Sequence, residues 1–208
     1  MIDDTIHIEP SSRCTLRCPQ CPRTEYIDRI SIDDCDIDST VRACNDYPHV
    51  LMCGNHGDPI YHAKFHELIR ALKADRKDRS IRIITNGAFR TVDWWEQLAP
   101  LLDSPGDCLT FSIDGISDNN HIYRVNSKWP TIEQGIKAVR RCNPTITIIW
   151  KWILFRYNED QVLQGIELAR QLGCNKFIVV KSVRYEEGDF LTPNATYEDI
   201  KESVRLWQ

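Results

Sequence analysis

The sequence predicts an α/β chain: a partial (β/α)6 barrel of the TIM type, with a parallel sheet covered by helices on one side. Three observations lead there. Short Val/Ile-rich runs of strand length recur six times, each followed by a stretch with helical amphipathic period. Runs such as Ile81-Arg-Ile-Ile84 and Phe177-Ile-Val-Val180 lack strict polar alternation, as strands of a parallel sheet buried on both faces do. The 208 residues hold six such units, whereas a closed eight-unit barrel takes about 250, so the barrel is expected to be open.

The strand runs are residues 5–8, 49–53, 81–85, 108–113, 145–154 and 176–180. Residues 32–44 read as a helix leading into the second strand. After it, residues 63–74 set Phe65, Leu68, Ile69 and Leu72 on one face. Residues 92–102 give a helix after the third strand, in which Trp94 and Trp95 are expected to turn one ring inward and one outward. Residues 132–141 carry Ile132, Ile136 and Val139 on one face, with Thr131 and Gln134 spaced as a capping box. Residues 159–172 carry Val162, Ile166, Ala169 and Leu172. Asn158 and Gln161 form a second capping box before them, and Gly173 stands where a left-handed residue ends a helix. A final helix is expected over 197–207. With no break in composition, residues 1–208 read as a single domain with a loop at 11–24 and a C-terminal segment, 185–208, expected to be mobile.

A formal charge of −4 argues against bulk attraction to nucleic acid, although Arg13, Arg17 and Arg23 form a local basic patch that suits either an anionic ligand or plain solvation. The most apolar run, 146–155, is interrupted by Lys151 and too short to span a bilayer, and residues 1–7 have no signal-peptide character. Nine cysteines without such a signal predict a cytoplasmic protein that keeps its thiols reduced.

Cys14, Cys18 and Cys21 place three thiols in one loop, spaced CxxxCxxC, and no second Cys-x-x-Cys or His pair completes a structural zinc site. Three thiolates around a four-iron cluster leave one iron open to a non-protein ligand. Three further segments fall at the carboxyl ends of strands, where β/α barrels gather their chemistry: Gly54-Asn-His-Gly-Asp-Pro59, Thr85-Asn-Gly87 and Ser112-Ile-Asp-Gly115. Gly54 and Gly57 allow a tight turn, and Pro59 forces Asp58 toward an extended backbone, leaving carbonyls free to accept from an ammonium group. Ordinary turn chemistry explains Gly-Asp-Pro equally, and His56, Tyr61 and His62 either line a pocket or decorate that turn. Cys35, Cys44, Cys108, Cys142 and Cys174 read as core residues.

Together these motifs resemble those of the radical S-adenosylmethionine (SAM) superfamily. CxxxCxxC is similar to its cluster motif, His56-Gly-Asp-Pro59 stands where members usually carry Gly-Gly-Glu-Pro, and Thr85-Asn-Gly87 is similar to its third-strand motif. Ser112-Ile-Asp-Gly115 with His121-Ile-Tyr-Arg124 resembles the core domain of the peptide-modifying members that carry SPASM or twitch extensions. No cysteine lies beyond Cys174, so that auxiliary-cluster extension is not expected.

The resemblance implies a [4Fe-4S] cluster on Cys14, Cys18 and Cys21 and SAM held by Gly54, His56, Gly57, Asp58, Pro59, Thr85, Asn86, Ser112, Asp114 and Arg124. In this reading Ser112 binds the methionyl carboxylate or the ribose. Asp114 is structural or near substrate, and Arg124 steadies its loop or SAM's carboxylate. The implied reaction is reductive cleavage of SAM to methionine and a 5'-deoxyadenosyl radical, which abstracts hydrogen from a peptide or small molecule. A flavodoxin or ferredoxin would supply the electron, and Cys53 reads either as a core residue like the other scattered cysteines or as a hydrogen donor to the substrate radical. Rival readings are an iron-sulfur or zinc carrier without SAM cleavage, a glycyl-radical activase, and a nucleotide-modifying member.

Overall fold

A computed structural model describes residues 4–25, 33–182 and 191–194. The helix expected over 197–207 and most of the C-terminal segment 185–208 lie outside them.

Among the described residues, six strands form one sheet in chain order: β1 (Thr5–Ile8), β2 (His49–Met52), β3 (Ser80–Thr85), β4 (Cys108–Ser112), β5 (Thr147–Leu154) and β6 (Lys176–Lys181). Every neighbouring pair is parallel, in registers such as Ile8 with Met52 and Ser112 with Lys151. Sequential parallel order with helical crossovers is the topology of a barrel sector. The helices are α1 (Pro22–Glu25), α2 (Ile37–Cys44), α3 (Phe65–Asp75), α4 (Val92–Leu98), α5 (Asn120–Tyr123), α6 (Trp129–Cys142) and α7 (Val162–Gln171).

The strands' two faces differ sharply. In β5, Ile148, Trp150, Trp152 and Leu154 are buried, while the alternate residues Thr147, Ile149, Lys151 and Ile153 are only partly covered. The buried set packs with Phe111, Phe177 and the apolar stripes of α3, α4, α6 and α7 into the main core. Close packing fixes Gly165 in α7, where a Cβ would come within 2.9 Å of the Trp152 ring and 3.1 Å of Phe177. The partly covered set faces the lumen. A smaller apolar cluster of Leu16, Cys18, Tyr123, Phe155 and Leu191 seats the cysteine loop against α5 and the end of β5.

Several helix starts and stops differ from the sequence expectation: the run expected from residue 159 opens as a 3-10 turn over Glu159–Gln161 before α7, and three others shift for a plain local reason. The helix expected from residue 32 begins at Ile37, because the Asp36 carboxylate accepts from Ser39 N at 2.9 Å and caps the chain there. α6 starts at Trp129, since Pro130 fits a helix's first turn, so Thr131 and Gln134 lie inside the helix and form no capping box. The helix expected over 92–102 tightens to a 3-10 turn at Ala99–Leu101 around Pro100. Gly173 does adopt a positive φ of 79° after α7.

Candidate active site

The carboxyl ends of the strands surround a cavity of about 400 Å³. Its walls are Cys14, Cys18 and Cys21 from the loop after β1, then Cys53, Gly54, Gly57 and Asp58 after β2. Thr85 closes β3 and Asn86 follows it, with Ser112 at β4, Arg124 beyond α5, and Lys151 and Ile153 on β5. Motifs scattered over 110 residues of sequence thus share one mouth.

The cysteine loop is pinned from several sides. Arg13 forms an ion pair with Asp34, whose carboxylate also accepts from Ala63 N at 2.8 Å. Arg17 N donates to Val125 O at 3.1 Å, and the hydroxyls of Thr15 and Tyr61 lie 2.6 Å apart. Cys21 N donates to Cys18 O at 3.0 Å, closing a turn that carries both sulfurs to the cavity. The basic patch therefore divides: Arg13 is paired, Arg17 is exposed and Arg23 is buried.

Burial pushes the Cys14 thiol up to about 12, with the Asp58 charge adding to the rise, and burial likewise raises Cys18. Asn86 Nδ2 lies 3.5 Å from Cys14 Sγ, and the Arg124 guanidinium charge opposes the rise at Cys18. Three converging thiols with amide and guanidinium donors suit an iron-sulfur cluster, whose sulfurs accept such bonds and whose iron displaces the thiol protons.

The turn after β2 meets this loop backbone to backbone. A Cβ on Gly57 would strike the Ser11 carbonyl and come within 2.6 Å of Ser12 Cα, so only glycine permits the approach. Asp58 N donates to Arg13 O at 3.0 Å. The Asp58 side chain turns inward, accepting from Thr85 Oγ1 at 2.8 Å, Asn86 N at 2.7 Å and Ile60 N at 3.2 Å. It joins the second- and third-strand motifs, a role its sequence position left open. Glu9, which no sequence pattern singled out, accepts from Asn55 N at 3.0 Å and His56 N at 3.3 Å and fixes the outer half of the turn. His56 itself is exposed, while Pro59, Tyr61 and His62 are buried beneath, and none of the four lines the cavity.

Burial raises the Asp58 carboxyl to about 6, against hydrogen bonds from Asn86, Thr85 and Ile60 that lower it. Between pH 4 and 6 the folded chain thus holds more of this proton than the unfolded chain, so its contribution is fully present below about pH 4 and is lost as pH rises through 6. The stability of wild type relative to Asp58→Asn is expected to fall by about 2–3 kcal/mol across that window in urea titrations. A flat difference would show that the hydrogen bonds outweigh the desolvation.

At β4, Ser112 faces the cavity but Asp114 does not; it is a fully buried hub. Its carboxylate pairs with Arg124 Nε at 2.6 Å and accepts from Ile153 N at 2.7 Å, and its N–H donates to Asn120 Oδ1 at 2.9 Å. Its carbonyl accepts from Tyr157 Oη at 2.8 Å and Asn158 Nδ2 at 2.7 Å. Asn158 is therefore no helix cap: its side chain stitches β4 to β5, also accepting from Phe155 N at 2.7 Å. Burial opposes the charge on Arg124, but Asp114 and Cys18 more than offset it and drive its pKa upward.

This chain is similar to several proteins of known description. It is 30% identical over 114 residues to the tungsten-containing aldehyde ferredoxin oxidoreductase cofactor-modifying protein of Pyrococcus furiosus, a match covering 52% of this chain and 30% of that protein. The crystal structure of Streptococcus suis SuiB bound to S-adenosylmethionine superposes with a TM-score of 0.72 at 16% identity, over 97% of this chain and 46% of SuiB. SuiB has also been solved bound to the precursor peptide SuiA. TYW1 with a lysine-pyruvate adduct bound gives a TM-score of 0.68 at 16% identity, over 98% and 72% of the two chains. The matched parts of the chain thus span less than half the length of SuiB and under a third of the Pyrococcus protein. A family model described as the radical SAM superfamily matches residues 8–206, nearly the whole sequence, and this chain belongs to that superfamily.

Proposed function

We propose that Cys14, Cys18 and Cys21 hold a [4Fe-4S] cluster, that the cavity beside them takes SAM, and that the chain is a radical SAM enzyme acting on a peptide. The observation that carries this reading is the convergence of the three thiols, the Gly54–Pro59 turn, Thr85-Asn86 and Ser112 on one 400 Å³ cavity. When bound, the cluster and SAM supply a one-electron reductive cleavage to methionine and a 5'-deoxyadenosyl radical. The chain's own part is to bind, orient and shield. Backbone carbonyls of the Gly54–Pro59 turn would accept from SAM's ammonium group, with Asp58 holding that turn to Asn86, and Ser112 would offer a hydroxyl to the carboxylate or ribose. Arg124, held by Asp114, sets a positive charge near Cys18 that favours its thiolate. Cavity walls on several sides keep other hydrogen donors away from a reactive radical.

The peptide is favoured because SuiB, whose fold this chain shares, is bound to a precursor peptide. We assign the electron supply to a flavodoxin or ferredoxin. All nine cysteines are free thiols and no helix among the described residues is long and apolar enough to cross a membrane, which supports a place in the reducing cytoplasm.

The test is to reconstitute the chain anaerobically with iron and sulfide, reduce it with SAM present and assay 5'-deoxyadenosine. A cluster-loaded chain that forms none would leave only the carrier reading.

Cys53 fits the role of hydrogen donor. It lines the cavity, and burial, with Glu9 adding to it, raises its thiol so that the S–H bond is intact at neutral pH. Cys53→Ala is expected to keep 5'-deoxyadenosine formation within about twofold while stopping deuterium transfer from D2O into a turned-over peptide. Transfer that survives removes Cys53 from the donor role.

A further inference from the structure

The guanidinium of Arg23 is buried in the cavity wall without the partner its charge calls for. It stands in α1, two residues beyond Cys21, and is 6% exposed. Nε donates to the Ser12 carbonyl at 2.9 Å, which orients the group, but Nη1 is buried with no hydrogen-bond partner. Among the described residues no carboxylate pairs with it, whereas the other guanidiniums beside the cysteines are committed: Arg13 to Asp34 and Arg124 to Asp114. An unpaired buried cation is strongly unfavourable unless an anion completes the site. Arg23 shares its cavity wall with Cys14, Cys18 and Cys21. It is also the cation nearest in sequence to Cys21.

Resting on the cluster assignment above, we propose that Arg23 balances the charge of the [4Fe-4S] cluster, its free Nη1 donating to a cluster sulfur. A four-iron cluster on three thiolates carries a net charge of about −1, falling to about −2 when reduced. A fixed cation therefore stabilises the reduced form more than the oxidised form and raises the reduction potential, as donors to cluster sulfurs do generally. Arg23 is thus a positioning residue, not a catalytic one. It assigns to one arginine of the basic patch the task of making the electron easier to accept.

The experiment uses the full chain, reconstituted anaerobically, as wild type, Arg23→Gln and Arg23→Lys. Iron and sulfide content, the electron paramagnetic resonance signal of the reduced cluster, its midpoint potential and SAM affinity are measured on each. At one fixed ambient potential the Gln variant is expected to show a reduced-to-oxidised ratio about tenfold below wild type, equivalent to about 59 mV for one electron. The Lys variant, which keeps the charge, is expected to recover most of that loss. A Gln variant loaded with cluster and reduced to the same extent as wild type overturns the proposal. So does an unchanged potential with weakened SAM binding, which would assign Arg23 to SAM's carboxylate. If the Gln variant takes up no cluster, the Lys variant decides: uptake at near-wild-type potential supports charge balance, and no uptake by a chain of normal apo stability in urea overturns it. A wild type that assembles no four-iron cluster is a different failure, that of the cluster assignment.

Discussion

Cys18→Ala is expected to take the reconstituted chain from about four irons to below one, and to bring 5'-deoxyadenosine formation to background. The argument rests on where the sulfur sits. Cys18 is 7% exposed, packed with Leu16, Tyr123 and Phe155 beneath the loop, and its sulfur lines the cavity with those of Cys14 and Cys21. Among the described residues, the one group of His, Cys, Asp and Glu side chains whose ligand atoms lie within 4.8 Å of one another is His7, Glu9 and Cys53, and it includes none of these three thiols. Loss of one thiolate therefore leaves two ligands. The substitution removes a single buried sulfur, and Arg124 keeps its bond to Asp114, so the apo chain should lose only about 1 kcal/mol in urea. That separates loss of a ligand from loss of the fold. Cys35→Ala supplies the control. Cys35 is half-buried outside the cavity, and the variant should load iron and cleave SAM as wild type does. SAM cleavage that survived Cys18→Ala would show the ligand assignment to be wrong.

The strands were legible because apolar, β-branched-rich runs of four to ten residues have few other uses in a chain of this composition, and their assigned and expected limits agree to within two residues. The helix boundaries that shifted did so at Asp36, Pro100 and Pro130, where one residue's local chemistry overrides the period of the apolar stripe. Of the residues that line the cavity, Cys14, Cys18, Cys21 and Gly57 stand out in the sequence itself, by spacing or by backbone freedom. Side chains that work across the fold were not. Glu9 meets Asn55 from 46 residues away, and Asn158 reaches the Asp114 carbonyl from 44. Neither leaves a periodic trace, since only the sheet register brings their strands together. Asn158 did carry a signal, but a helix cap and a strand-to-strand tie use the same amide, and composition cannot tell them apart. Arg23 was visible only as part of a basic patch; the structure separates it from Arg13 and Arg17 by burial.

Breaking the Asp114–Arg124 pair is expected to be the most destabilising single change near the site. Asp114 is fully buried, the Arg124 side chain is 15% exposed, and their bond is 2.6 Å long. Asp114→Asn leaves a guanidinium facing a neutral amide; Arg124→Gln leaves a carboxylate in the interior with only the Ile153 amide as a strong donor. Either should cost about 3–5 kcal/mol in urea unfolding of the apo chain, the usual penalty for orphaning one buried charge. The double variant removes both charges and should recover part of the loss, with a coupling energy of about 2 kcal/mol. Additive losses would mean that Asp114 stabilises the fold through its backbone ties to Asn120, Tyr157 and Asn158 rather than through the pair. Cluster loading distinguishes the two partners further. The Arg124 charge also favours the Cys18 thiolate, so Arg124→Gln should lower iron retention by more than its stability loss explains, whereas Asp114→Asn leaves that charge present but loosely held. If the two variants lost iron equally at matched stability, the arginine would serve the fold alone.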